Sequence, residues 1–140
     1  MGICIAAKSL ERMKRKVRHL TRRSQGNSWE KIRDGLRRAI TGWVNYYALA
    51  DAHIEMSQLD AWLRRRMRQV TWVAWKTGQN RYKRLTALGV SKSWAMRIAG
   101  SSKGAWRMSK SQPLQQALSN SYWHRVGLVS FIELYNLRRT

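Results

Sequence analysis

The stretch Ser57-Gln-Leu-Asp-Ala-Trp-Leu-Arg-Arg-Arg-Met-Arg-Gln-Val-Thr-Trp-Val-Ala-Trp-Lys76 decides how the rest of the chain reads. Its apolar positions Leu59, Leu63, Met67, Val70 and Val73 recur at three- and four-residue steps, the spacing that keeps side chains on one face of an α-helix. Ser57, followed three residues later by Asp60, reads as a capping box that starts the helix. Arg64 and Arg68 lie at i, i+4 with Arg65 beside them, so the same helix carries a basic stripe. Arginine suits phosphate because its planar fork donates two hydrogen bonds at once.

Upstream, the pattern repeats. Leu10, Met13, Val17 and Leu20 follow helical spacing after Ser9, a candidate cap, with basic residues on the other faces. Gln25-Gly26-Asn27 breaks that run, and Asn27 with Glu30 resembles a second capping box. Trp29, Ile32, Leu36, Ile40, Trp43, Val44 and Tyr47 then mark another amphipathic helix, within which Gly42 is expected to admit a closely packed neighbour. Three such helices with short connections predict an antiparallel bundle over residues 9–76. Downstream of Lys76 the texture changes. Thr77-Gly78-Gln79-Asn80 is a turn signal, and short helices are expected over Arg81–Leu88, from Ser91 to Ala99, and over Leu114–Val126. Leu128–Leu137 has no clear period. The expected fold is all-α: the bundle, then a smaller helical, loop-rich segment over residues 77–140, with residues 1–8 outside both.

Charge sharpens this picture. The 140 residues hold 28 Lys+Arg against 7 Asp+Glu, a net of +21. Residues 1–60 contain 12 basic and 6 acidic residues, whereas residues 61–132 contain 14 basic and no acidic ones. Cations in such a stretch face water, backbone carbonyls or phosphate, and a chain this basic repels itself unless a polyanion neutralises it. Nucleic acid is therefore the expected partner. Eight Trp, five Tyr, six Met and a single Pro argue for a folded domain rather than a disordered basic tail. One cysteine, Cys4, excludes an internal disulfide, and three scattered histidines make no metal cluster. No apolar run approaches the roughly 18 residues of a membrane span, and residues 1–7 lack the features of a signal peptide.

Catalytic constellations are not apparent. Acid–base chemistry needs paired carboxylates or an oriented histidine, and two-metal phosphoryl transfer needs clustered carboxylates; the cation-rich stretch has none. No phosphate loop, nucleophile elbow or HExxH motif occurs. The expectation is binding without chemistry and without a cofactor. A second group of candidate contacts lies in Arg81-Tyr-Lys-Arg84 and in Ser101-Ser-Lys-Gly-Ala-Trp-Arg107. There small residues let backbone N–H groups approach a phosphate while Lys103 and Arg107 bring charge. Tyr82 and Trp106 are suited either to stacking on unpaired bases or to a core, whereas Trp29, Trp43 and Trp62 read as core. The corner Leu88-Gly89-Val90-Ser91 has the spacing of a helix-turn-helix, as any tight helical corner does.

An ordered succession of these motifs resembles the maturase (X, or thumb) domain and C-terminal segment of group II intron reverse transcriptases. It comprises Ser9–Arg23, Gly42-Trp-Val-Asn-Tyr-Tyr47, Leu59–Arg68, Trp75-Lys76, Arg81-Tyr82, Leu88-Gly-Val90, Ser101–Arg107, Leu118-Ser-Asn-Ser-Tyr-Trp123 and Gly127-Leu-Val-Ser130. The resemblance covers about residues 8–135. It implies a protein of the cell interior, bacterial or organellar, that binds intron RNA and assists splicing, possesses a helical thumb, and touches target DNA through the following segment. By position, with the charge pattern, the candidate nucleic-acid contacts are Arg22, Arg23, Arg64, Arg65, Arg68, Trp75, Lys76, Arg81, Tyr82, Arg84, Lys103, Trp106 and Arg107. The departures matter as well. The chain has no fingers, palm or Tyr-Ala-Asp-Asp motif, so polymerisation would need a separately encoded fingers and palm. The first seven residues resemble the end of a palm. Where the family often has Ser-Arg-Lys-Gly-Tyr-Trp, this chain has Ser102 and Ala105 in place of Arg and Tyr, one cation and one ring fewer. A general DNA-binding helical protein is the remaining alternative.

Overall fold

In the computed structural model, residues 5–22 and 28–139 are described. The expectations that fall on residues 1–4, on Arg23 and on Asn27 lie outside them. Every element among the described residues is helical, and no helix there is long and apolar enough to cross a membrane. The chain divides into two compact units, residues 1–63 with 127–140 and residues 64–126.

The first unit contains α1 (Ala7–Leu20), α2 (Trp29–Tyr46), the first half of α3 (His53–Ala74) and α9 (Phe131–Arg139). Its core follows the predicted periodicity: Met13 and Val17 of α1, Leu36, Ile40 and Val44 of α2, and Met56, Leu59 and Leu63 of α3 are buried. Starts of helices follow it less well. Ala6 rather than Ser9 precedes α1, and the Ser9 hydroxyl instead meets the Tyr47 hydroxyl at 2.6 Å. Ser28 caps α2 through the Lys31 N–H. Gly42 stands exposed with open space around it rather than beneath a neighbouring helix.

Asp60 is the largest local departure. Helix α3 begins at His53, so Ser57 and Asp60 lie inside it and cap nothing there. The buried Asp60 carboxylate reaches a different helix, accepting from the Phe131 N–H (2.6 Å), the Ile132 N–H (3.1 Å) and the Ser130 hydroxyl (2.6 Å). A carboxylate satisfies the unpaired N–H groups of a helix start and complements its positive end. The segment without a visible period thus becomes α9, anchored by Phe131 and Tyr135. The Tyr135 hydroxyl accepts from the Ala52 N–H (3.1 Å) and donates to the Ala50 carbonyl (2.6 Å). A local signal was present in Ser130-x-x-Glu133, whose Ser130 hydroxyl accepts from the Glu133 N–H.

The second unit contains residues 64–74 of α3, then α4 (Gly78–Ala87), α5 (Lys92–Ala99), α6 (Ala105–Met108), α7 (Gln112–Ala117) and α8 (Asn120–Arg125). Helices α4, α5 and α7 pack mutually, with Leu85, Ala95, Ala99, Leu114 and Ala117 buried. The small side chains on α5 let its backbone lie close to its neighbours. Gly89 ends α4 at φ 96°, with the Val90 N–H bonded to the Leu85 carbonyl and the Gly89 N–H to that of Thr86, a Schellman closure. The single helix expected over Leu114–Val126 is two, broken at Leu118 (ψ 62°), because the Ser119 side chain caps α8 through the Tyr122 N–H. The boundary expected after Lys76 is a turn inside this unit, with Lys76 at φ 60°, and the units divide instead within α3 and at Gly127.

Candidate nucleic-acid interface

In the second unit, three candidate arginines turn their donors onto backbone carbonyls. Arg68 is only 8 % exposed; its Nε donates to the Ser109 carbonyl (2.9 Å) and a terminal nitrogen to that of Leu118 (3.3 Å). Burial, then the charges of Arg64 and Arg65, pull its pKa down to about 10, which leaves it charged at neutral pH. Arg65 lies over the Trp106 ring at 3.8 Å and donates to the Ser109 hydroxyl and the Trp106 carbonyl, each at 3.0 Å. Arg81 forks onto the Trp72 carbonyl at 3.1 and 3.2 Å, lies over the Trp72 ring at 4.3 Å, and has its pKa lowered by burial.

The physical reason is common to all three. Every helix ends in unsatisfied carbonyls: Arg65 and Arg68 reach the ends of α6 and α7, four and six residues long, and Arg81 reaches the last turn of α3. No carboxylate competes for the guanidinium groups in this stretch, so they close the helix ends. The structure therefore places Arg68 inside, and Arg65 and Arg81 in partly buried structural contacts, where the sequence had put all three on phosphate. Trp75 is buried as well, and Tyr82 is half-buried. Trp106 is 38 % exposed beneath Arg65.

The remaining candidates face solvent. Arg22, Lys76, Arg84, Lys103 and Arg107 are exposed and Arg64 is half-exposed; Arg23 lies outside the described residues. In the loop before α6, the Ser101 hydroxyl accepts from the Lys103 N–H (3.2 Å).

The first unit holds a row of which only Arg22 was a candidate from the sequence. Along α1, Lys8, Arg12, Arg15 and His19 are exposed, and Arg22 continues them just past its end. Their spacing of four, three, four and three residues keeps them on one side of a 3.6-residue helix. Buried Met13 and Val17 lie on the opposite side. Among the described residues no carboxylate pairs with Lys8, Arg12, Arg15 or Arg22; Glu11 flanks the row, joining Ala7, Lys8, Arg12 and Arg15 around a shallow depression. The signal was available, because the cations alternate with Leu10, Met13, Val17 and Leu20 in complementary register. Lys14 and Arg18 occupy the flank and lie over the Trp62 ring at 5.6 and 5.4 Å, which keeps that half-buried indole covered.

Fold and surface together define an all-α, strongly basic domain with a cation row along one helix. The model of the group II intron maturase-specific domain matches residues 10–89, more than half of the chain, and the chain belongs to that family. Its function is accordingly a group II intron maturase-related one. The matched stretch runs from α1 to the Gly89 turn that closes α4. Comparison with curated proteins gives no match.

Proposed function

We propose that this chain is an RNA-binding module that grips structured intron RNA and holds it in its splicing-competent fold. The observation that carries the reading is the α1 row, Lys8, Arg12, Arg15, His19 and Arg22, solvent-facing and set in and next to the family-matched segment. A row of basic side chains along one helix face follows a phosphate backbone without reading bases, which is what holding a folded RNA requires. The proposal gives the chain no chemistry of its own. The reacting groups belong to the RNA, and the protein lowers the free energy of one RNA fold by binding it better than the alternatives.

The test is a titration of group II intron RNA at several salt concentrations, paired with splicing at a magnesium concentration too low for the RNA to fold unaided. With six to ten phosphates engaged, affinity falls about 10³–10⁵-fold between 50 and 200 mM salt. Replacing Arg12, Arg15 and Arg22 with Ala weakens binding, lowers the salt slope by about one for each phosphate no longer neutralised, and slows protein-dependent splicing. A flat salt response, or unchanged splicing in the triple variant, overturns the proposal. So does equal displacement of intron RNA by duplex DNA, which would indicate a general DNA-binding protein.

A further inference from the structure

Helix α5 presents an outward face that the core does not need. Ala95 and Ala99 seat the helix, while Trp94 is 48 % and Met96 68 % exposed. Lys92, Ser93 and Arg97 are exposed beside them, and the Arg97 guanidinium lies over the Trp94 ring at 5.1 Å. Leaving an indole half in water forfeits much of the gain from burying the largest apolar side chain. The surroundings indicate what would cover it, since residues 61–132 contain no carboxylate and Lys103 is also exposed a few residues on. An aromatic ring among unopposed cations is complementary to a ligand that combines a flat π-face with negative charge.

We propose that Trp94, with Arg97 and Lys92, forms a stacking platform for an unpaired nucleotide of a bound RNA. This deepens the RNA-binding reading and rests on it, but concerns a helix beyond the family-matched residues and a different mode of contact. Where the α1 row follows backbone phosphates, α5 takes a base that has left its helix. Paired bases keep their faces within the stack, so the platform selects loops and single strands over duplex.

The experiment uses the full chain and two RNA probes of equal length: a single strand carrying 2-aminopurine and a blunt duplex. Wild type is expected to bind both and to quench the 2-aminopurine emission on stacking. Trp94→Ala should weaken single-strand binding about 5- to 150-fold and lose the quench while binding duplex as before. Trp94→Phe, which keeps a ring, should restore most of both. The inference is overturned if Trp94→Ala binds and quenches the single strand like wild type, if it loses both probes in equal measure, or if wild type binds duplex alone. Salt-dependent duplex binding by wild type beside an unaffected Trp94→Ala sinks only the platform. Failure of wild type to bind either RNA sinks the RNA-binding reading with it.

Discussion

Arg64 and Arg68 lie one turn apart on α3, and their neighbours give them different tasks. Arg68 is interior and holds the Ser109 and Leu118 carbonyls, whereas Arg64 remains half in solvent. Arg68→Ala would strand two carbonyls and open a space, so a loss of about 2–4 kcal/mol is expected in urea unfolding. Arg64→Ala is expected to stay within about 0.5 kcal/mol. Equal and small effects for both would contradict the assignment of Arg68 to the interior. The sequence displayed the i, i+4 pair plainly. It did not display which member turned inward, because the deciding carbonyls lie 41 and 50 positions further along. Asp60 was opaque for the same reason: its partners Phe131 and Ile132 are 71 and 72 positions away.

Elements were more legible than their ends. Apolar periodicity located α1, α2 and α3 because it reports burial, and burial is shared along a whole helix face. Ends depend on single hydrogen bonds that several residues can supply, as when Ser119 split the helix expected over Leu114–Val126. Glycines separate the two kinds of information. Gly89 adopts φ 96° with open space around it, so Gly89→Ala costs only backbone strain, about 1–2 kcal/mol of stability. Gly42 lies in the interior of α2, also with open space, and Gly42→Ala should stabilise by about 0.5–1 kcal/mol. Thermal unfolding of the two variants would show shifts of opposite sign; shifts of the same sign would contradict the two backbone assignments.

For the molecule as a whole, charge opposes compactness. With a net of +21, self-repulsion weakens the native state at low ionic strength and is screened as salt rises. The melting temperature is therefore expected to increase between about 20 and 200 mM monovalent salt, within which the Debye length falls below about 10 Å. On the proposed function, RNA affinity is expected to move the other way over the same range. A melting temperature that falls with added salt would show that attraction, not repulsion, dominates the native electrostatics. The acid-free half was visible from the sequence. The division into units was not, because the Thr77–Asn80 turn redirects the chain without ending a core. The link from α9 back to Asp60 and to the Ala50 carbonyl depends on contacts 71 and 85 residues apart.

That return of α9 also sets an order of assembly during synthesis. Every residue of the 64–126 unit is synthesised before the first unit has α9. At about 5–20 residues per second, the segment that carries Phe131 and Tyr135 is added about a second later. Until then Asp60 has no helix start to accept from and the Ala50 carbonyl lacks the Tyr135 hydroxyl, so the first unit is completed by residues that follow α1 and α2 by most of the chain. A chain cut short before Phe131 would keep the whole α1 row and lose Phe131 and Tyr135, the side chains that α9 adds to the core against α2.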